Sequence, residues 1–166
     1  MKRSATTLVS MMLFLSVQAI QAEDEASPTV TLKRLSMETA NQIALGAVAA
    51  CRKKGIQIGV TVVDRNGIVQ VAMRDTIAAQ ITLPISRQKA FTAVNFNAAT
   101  SALKDRADSP IGRIDGLVMA SGGLPVQAGG QLLGGVGVSG APSGETDEAC
   151  AQAGIDRVID DLEMAF

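Results

Sequence analysis

Histidine, tryptophan and tyrosine are all absent from the 166 residues, and the only aromatics are four phenylalanines. Without histidine there is no Ser–His or Cys–His nucleophile pair, no His-ligated zinc and no proximal histidine for haem iron. Any haem iron would have to be met by Met73, Met119, a lysine such as Lys89, a hydroxyl or water. Two cysteines far apart supply no structural zinc site, and no metal centre is expected. Few aromatics and a near balance of 15 Lys+Arg against 16 Asp+Glu leave neither the basic face nor the stacking rings that nucleic acid requires. Long apolar runs are missing too. The longest, Leu8–Val17, falls well short of the roughly 20 residues that span a bilayer.

That short run has a different meaning. Lys2 and Arg3 precede it, and Gln18–Ala22 follows it and ends on a small residue, the pattern of an export leader cleaved after Ala22. The expected organisation is a signal peptide over 1–22, a loose polar arm over 23–31 containing Pro28, and one domain over 32–166. The destination is periplasmic or secreted. Without Lys2 and Arg3 the balance is 13 Lys+Arg against 16 Asp+Glu, a net charge of −3. In an exported chain, Cys51 and Cys150 make either one disulfide or two separate buried thiols.

Periodicity supplies the elements. Ser36 is an N-cap candidate for a helix over 37–54, with Met37, Ala40, Ala44, Ala47, Val48 and Cys51 on one face and Gly55 as its stop. Ile56–Val63 and Ile68–Met73 are β-rich runs joined by Asp64-Arg65-Asn66-Gly67, a tight-hairpin signal. A second helix starts near Thr82 with Pro84 in its first turn and runs to about Asn97. Leu83, Ala90, Phe91, Val94 and Ala98 lie on one side of it around Arg87, while Ile85, Thr92 and Phe96, beside Lys89, form a nearly opposite stripe. A helix apolar on both sides is expected to be covered on both, by its sheet and by another element or subunit.

Eleven of the sixteen glycines fall between Gly112 and Gly144. Leu117–Ala120, Leu124–Gln127 and Gln131–Val138 are three expected strands, the last two turned by Gly129-Gly130, and a final helix begins at Ser143. The order α-ββ-α-βββ-α predicts an α+β fold with a single five-stranded antiparallel sheet and helices packed on it.

Gly135-Val136-Gly137-Val138-Ser139-Gly140 fits a GxGxxG string, but its glycines sit within a strand, and the acids about 20 residues on belong to a helix. Small residues for close helix–sheet packing, or for a ligand lying on the backbone, explain it better. Asp147 and Glu148 open the last helix. Complementing the helix N-terminus is the plainer account, a carboxylate for a ligand or metal the sharper one. Arg87, centred on an apolar face, needs either a structural carboxylate, Asp147 or Glu148 included, or an anionic ligand. Lys89 can snorkel to water.

These residues resemble the GlcG/HbpS family, the haem-degrading domain, over about Leu32 to Ile159. The resemblance is carried by Val60-Thr61-Val62-Val63-Asp64-Arg65-Asn66-Gly67, Ser86-Arg87-Gln88-Lys89-Ala90-Phe91-Thr92-Ala93 and Gly122-Gly123-Leu124-Pro125. Its most specific part is Gly134-Gly135-Val136-Gly137-Val138-Ser139-Gly140 followed by Asp147-Glu148 and Ala153-Gly154. Where relatives often read Met-Asp-Gly-Ala after the second strand, this chain has Met73-Arg74-Asp75-Thr76. The resemblance implies a five-stranded antiparallel sheet, assembly into homo-oligomers, and haem or small-ligand binding. It implies a ligand region of Arg87, Lys89, Phe91 and Thr92 facing Ser139 and Asp147. It also brings Cys51 and Cys150 to one end of the sheet, and so implies a Cys51–Cys150 disulfide.

The leading expectation is therefore an exported, oligomeric binding protein for haem or another small anionic molecule. A histidine-free enzyme acting on a small organic acid or cofactor, with Lys89 as base or electrophile and Asp147 as acid, is the second. An accessory subunit whose two-sided helix is an assembly surface is the third. Polar groups converging on a cavity favour the first two, and a filled interior the last.

Overall fold

The computed structural model describes residues 27–166. The expected leader and the first part of the arm lie outside them. Leu32–Phe166 forms one compact unit.

Its elements follow the sequence signals closely. Helix α1 (Met37–Arg52) starts where Ser36 Oγ accepts the Thr39 N–H at 3.1 Å, a side-chain cap. Strands β1 (Gly59–Asp64) and β2 (Val69–Arg74) form the first hairpin. Asp64 Oδ1 accepts the N–H groups of Asn66 and Ile68 at 2.8 and 3.0 Å, and Gly67 takes φ +80°, the left-handed value that the turn requires. Helix α2 (Thr82–Phe96) follows, then 3-10 helices over Thr100–Arg106 and Pro110–Arg113. Strands β3 (Gly123–Ala128) and β4 (Gln131–Ser139) make the second hairpin across Gly129 and Gly130. Helices α3 (Gly144–Ile155) and α4 (Ile159–Glu163) end the chain.

The sheet has four strands, not five, in the order β2-β1-β4-β3 with every pair antiparallel. The expected strand at Leu117–Ala120 does not form. The Val118 N–H donates to Thr92 Oγ1 on α2 at 2.9 Å, and the Leu117 N–H closes a turn on the Ile114 carbonyl. Those two donors are spent on a helix and a turn instead of on a neighbouring strand. The single last helix expected from Ser143 is also broken, by turns at Arg157 and Val158 that bond back to Gly154 and Ile155.

Alternation along the strands sends side chains to two different layers. Val60, Val62, Leu124, Val126, Val136 and Val138 point to the main core, with Ala40, Ile43, Ala44 and Ala47 of α1 and Ala151 and Ile155 of α3. Val63 points the other way, with Ala90 and Val94 of α2. The sheet is thus covered on both faces. Cys51 lies in the last turn of α1 and Cys150 in α3; their Sγ atoms are bonded, with Cα atoms 5.6 Å apart at a sequence separation of 99. Helix α3 is thereby held to α1.

Candidate functional site

The glycines of β4 decide how close α2 lies. A Cβ added to Gly137 would strike the Ser86 carbonyl and the Ala90 nitrogen, and one added to Gly135 would strike Val94. The helix therefore rests on bare backbone, and the GxGxxG string is a packing surface. On this close seat Lys89 turns inward. It is 5 % exposed, and its Nζ donates to the Val138 carbonyl and to Asp147 Oδ2, both at 2.9 Å.

Asp147 reaches that point from the first turn of α3. Its Oδ1 accepts the Ala141 N–H at 2.9 Å, so both carboxylate oxygens are engaged. Burial pushes the Asp147 carboxyl above the usual aspartate range, against the hydrogen bonds from Ala141 and Lys89 that favour its charged form. Gly122 gives the pair its space. An ideal Cβ there would stand 2.7 Å from Lys89 Nζ and 2.8 Å from Asp147 Cβ. Glu148 holds the same turn, its Oε2 accepting the Gly122 N–H and its Oε1 the Ser101 hydroxyl.

Two open cavities share Ser139 and Asp147 as lining. One, of about 490 Å³, is lined by Ile85, Lys89, Lys104, Met119, Ser139 and Asp147 among others. The other, of about 500 Å³, lies against Ser139 and Asp147 from the side of Ile77, Ala79 and Ile81. At the mouth of the first, Lys104 Nζ sits 2.6 Å from Glu145 Oε1, and that hydrogen bond is the main cause holding Glu145 down to about 2. An ammonium has three N–H donors. Two of those on Lys89 are taken by Val138 and Asp147, and the third has no partner among the described residues.

The expected ligand set divides. Lys89, Ser139 and Asp147 come together, whereas Arg87 is exposed and lines a different cavity with Phe91. Arg87 has no carboxylate partner among the described residues; the buried cation that needed one is Lys89. Thr92 is buried and serves the fold, donating to the Gln88 carbonyl and accepting from Val118. Among the described residues no three Cys, Asp or Glu side chains gather as a metal centre, and no helix is long and apolar enough to cross a membrane. Gly122 and the Ala141 N–H were not legible as site elements, although an acid six residues after Ala141 in a glycine-rich turn carries a faint signal.

Residues 35–156 match the family model described as haem degrading protein HbpS-like. The chain belongs to this family. Among solved structures, this HbpS-like protein is similar to Streptomyces reticuli HbpS, solved as a double mutant, at 37 % identity and a TM-score of 0.76 over 85 % of this chain and 98 % of that one. A PduOC:heme complex is 29 % identical with a TM-score of 0.69, covering 74 % of this chain and 94 % of that one. Klebsiella pneumoniae protein ORFY, at 24 % identity and a TM-score of 0.73 over 79 % and 94 %, shares the fold. No curated protein sequence matches.

Proposed function

We propose that this HbpS-like protein is an exported, homo-oligomeric binding protein for a small carboxylate-bearing molecule, held at Lys89 and Ser139 with Asp147 as counter-charge. The observation that carries the reading is the free third donor of the Lys89 ammonium at the wall of a cavity of about 490 Å³. A ligand carboxylate would take that donor and the Ser139 hydroxyl. Asp147 neutralises most of the buried charge, so the site suits one negative charge better than two. The Cys51–Cys150 disulfide supports export, because such bonds persist in oxidising compartments.

The family description and the PduOC:heme complex make haem the first named compound to test. Its propionates would suit the Lys89 donor. Its ring and iron suit the cavity poorly. Lys89, Lys104, Glu145 and Asp147 bring four charged side chains to its lining, and its one thioether, Met119, is buried. Met73, the other thioether considered, lines a separate groove with Leu45 and Arg52. These residues do not make a haem pocket within one chain.

The decisive measurement is calorimetric titration of the mature protein with acetate, glycolate, lactate and haemin, with absorption spectra for the last. Binding of a monocarboxylate that weakens three- to tenfold in Ser139→Ala, which keeps the ion pair, is the expected result. Silence toward every carboxylate would remove the reading, and a haemin complex with unchanged affinity in Ser139→Ala would move haem elsewhere. Intact mass after export should place the mature N-terminus at Glu23, and light scattering should return a multiple of the chain mass.

A further inference from the structure

On the outer side of α2, Pro84, Arg87, Gln88 and Phe91 line a cavity of about 290 Å³ with Asp115 and Gly116. It shares no lining residue with the cavity at Lys89. Phe91 is its half-buried aromatic wall. The ring is backed by Gly67 of the first hairpin, where an added Cβ would stand 2.6 Å from Phe91 Cδ2. Gly116, with φ +88°, brings bare backbone to the far side.

The charges around this ring are opposite and unspent. Arg87 and Asp115 line the same small space, yet neither belongs to an ion pair among the described residues. The Gln88 side-chain amide also has no hydrogen-bond partner there, its backbone carbonyl alone being used by Thr92. A guanidinium and a carboxylate that line one cavity without pairing, together with an aromatic ring, are complementary to a molecule that carries both charges. Arg87 would take a carboxylate in its planar fork. Asp115 would take an ammonium, which the face of Phe91 also attracts when it lies within about 6 Å of the ring centre. The volume stands at the lower limit of ligand sites, which run from ~300 to ~1,000 Å³, so it admits a small metabolite and not a macrocycle.

We propose that this cavity is a second binding site, for a free α-amino acid with a small apolar side chain, recognised as a zwitterion by Arg87 and Asp115 over Phe91. The test is titration of the full mature protein, by calorimetry or by shifts in a proton–nitrogen NMR spectrum, with valine and proline. N-acetylvaline, which lacks the cation, and valine methyl ester, which lacks the anion, are the paired controls. Zwitterion binding is expected, with each blocked analogue weaker by at least tenfold. Arg87→Gln and Asp115→Asn, both surface changes that leave the melting temperature within a few degrees, should each weaken valine at least tenfold. Absence of binding by both amino acids at millimolar concentration, equal binding of a blocked analogue, or wild-type affinity in either variant would each overturn the proposal.

Discussion

A lysine and an aspartate placed together out of water cost solvation energy that their attraction must return. Lys89 and Asp147 meet this with side chains 6 % and 5 % exposed, a 2.9 Å contact and two further backbone partners. Removing one partner leaves the other charge stranded, so Lys89→Met should destabilise the fold by about 3–5 kcal/mol. Adding Asp147→Leu should restore much of that loss, and denaturant melts of both variants measure it. The carboxyl of Asp147, pushed up by burial, keeps its proton in the folded protein at a pH where the unfolded chain has lost it. Its contribution to stability is full below the ordinary aspartate value of about 3.9 and lost as pH rises through the raised one. Protonation also releases Lys89 from its counter-charge. Affinity for an anionic ligand should therefore rise as pH falls through that window, in titrations at stepped pH, until the ligand itself is protonated. Which cation on α2 turned inward was hidden in the sequence. The buried residues are Thr82, Ser86, Lys89, Ala90, Thr92, Ala93 and Val94, mostly small or polar side chains whose apolar signal is weaker than that of Leu83 and Phe91 around Arg87.

Helix α2 can present so small a face because the strand below it turns the bare Gly135 and Gly137 toward it. That fit is a prediction in itself. Gly137→Ala drives a methyl into the Ser86 carbonyl and the Ala90 nitrogen, groups of a helix backbone that cannot rotate aside. Overpacking of this kind costs about 1–3 kcal/mol, and lifting α2 would also pull Lys89 from Asp147. The expected outcome is a melting temperature lowered by several degrees together with weakened carboxylate binding. Gly130→Ala is the contrast, since nothing lies within 4 Å and only its φ of +70° is strained. It should lower the melting temperature by a smaller amount and leave binding alone. The hairpins and the packing role of the β4 glycines were legible, because turns and close approaches demand glycine locally. The strand missing at Leu117–Ala120 was not. Its composition suits a strand, and only the tertiary partner, Thr92 Oγ1, took the N–H that a ladder would have used.

At the scale of the whole molecule, two long-range ties close the chain on itself, and they respond to different agents. The Cys51–Cys150 bond closes a loop of 99 residues, for which the chain-entropy model gives about 4–5 kcal/mol. Both sulfurs are buried, so reductant alone should act slowly and Cys51→Ala/Cys150→Ala should show the full loss in denaturant midpoint. The second tie is Arg52 to Asp75, a two-pronged contact at 2.7 and 2.6 Å that joins the end of α1 to the segment after β2. The Asp75 carboxylate also accepts the Thr76 N–H at 2.7 Å. Hydrogen bonding from Arg52 leads the causes that lower Asp75 to about 2. A folded value below the unfolded one contributes stability above about pH 3.9 and loses it as pH falls through about 2, the opposite sense to Asp147. Arg52 is more than half exposed, so screening by solvent keeps the contribution small. Arg52→Gln should therefore be slightly less stable than the wild type at neutral pH, in urea melts. The difference should shrink steadily in acid and vanish below pH of about 2, where Asp75 is protonated in both proteins. A gap that stayed constant across that range would mean that Arg52 stabilises the helix end by packing alone.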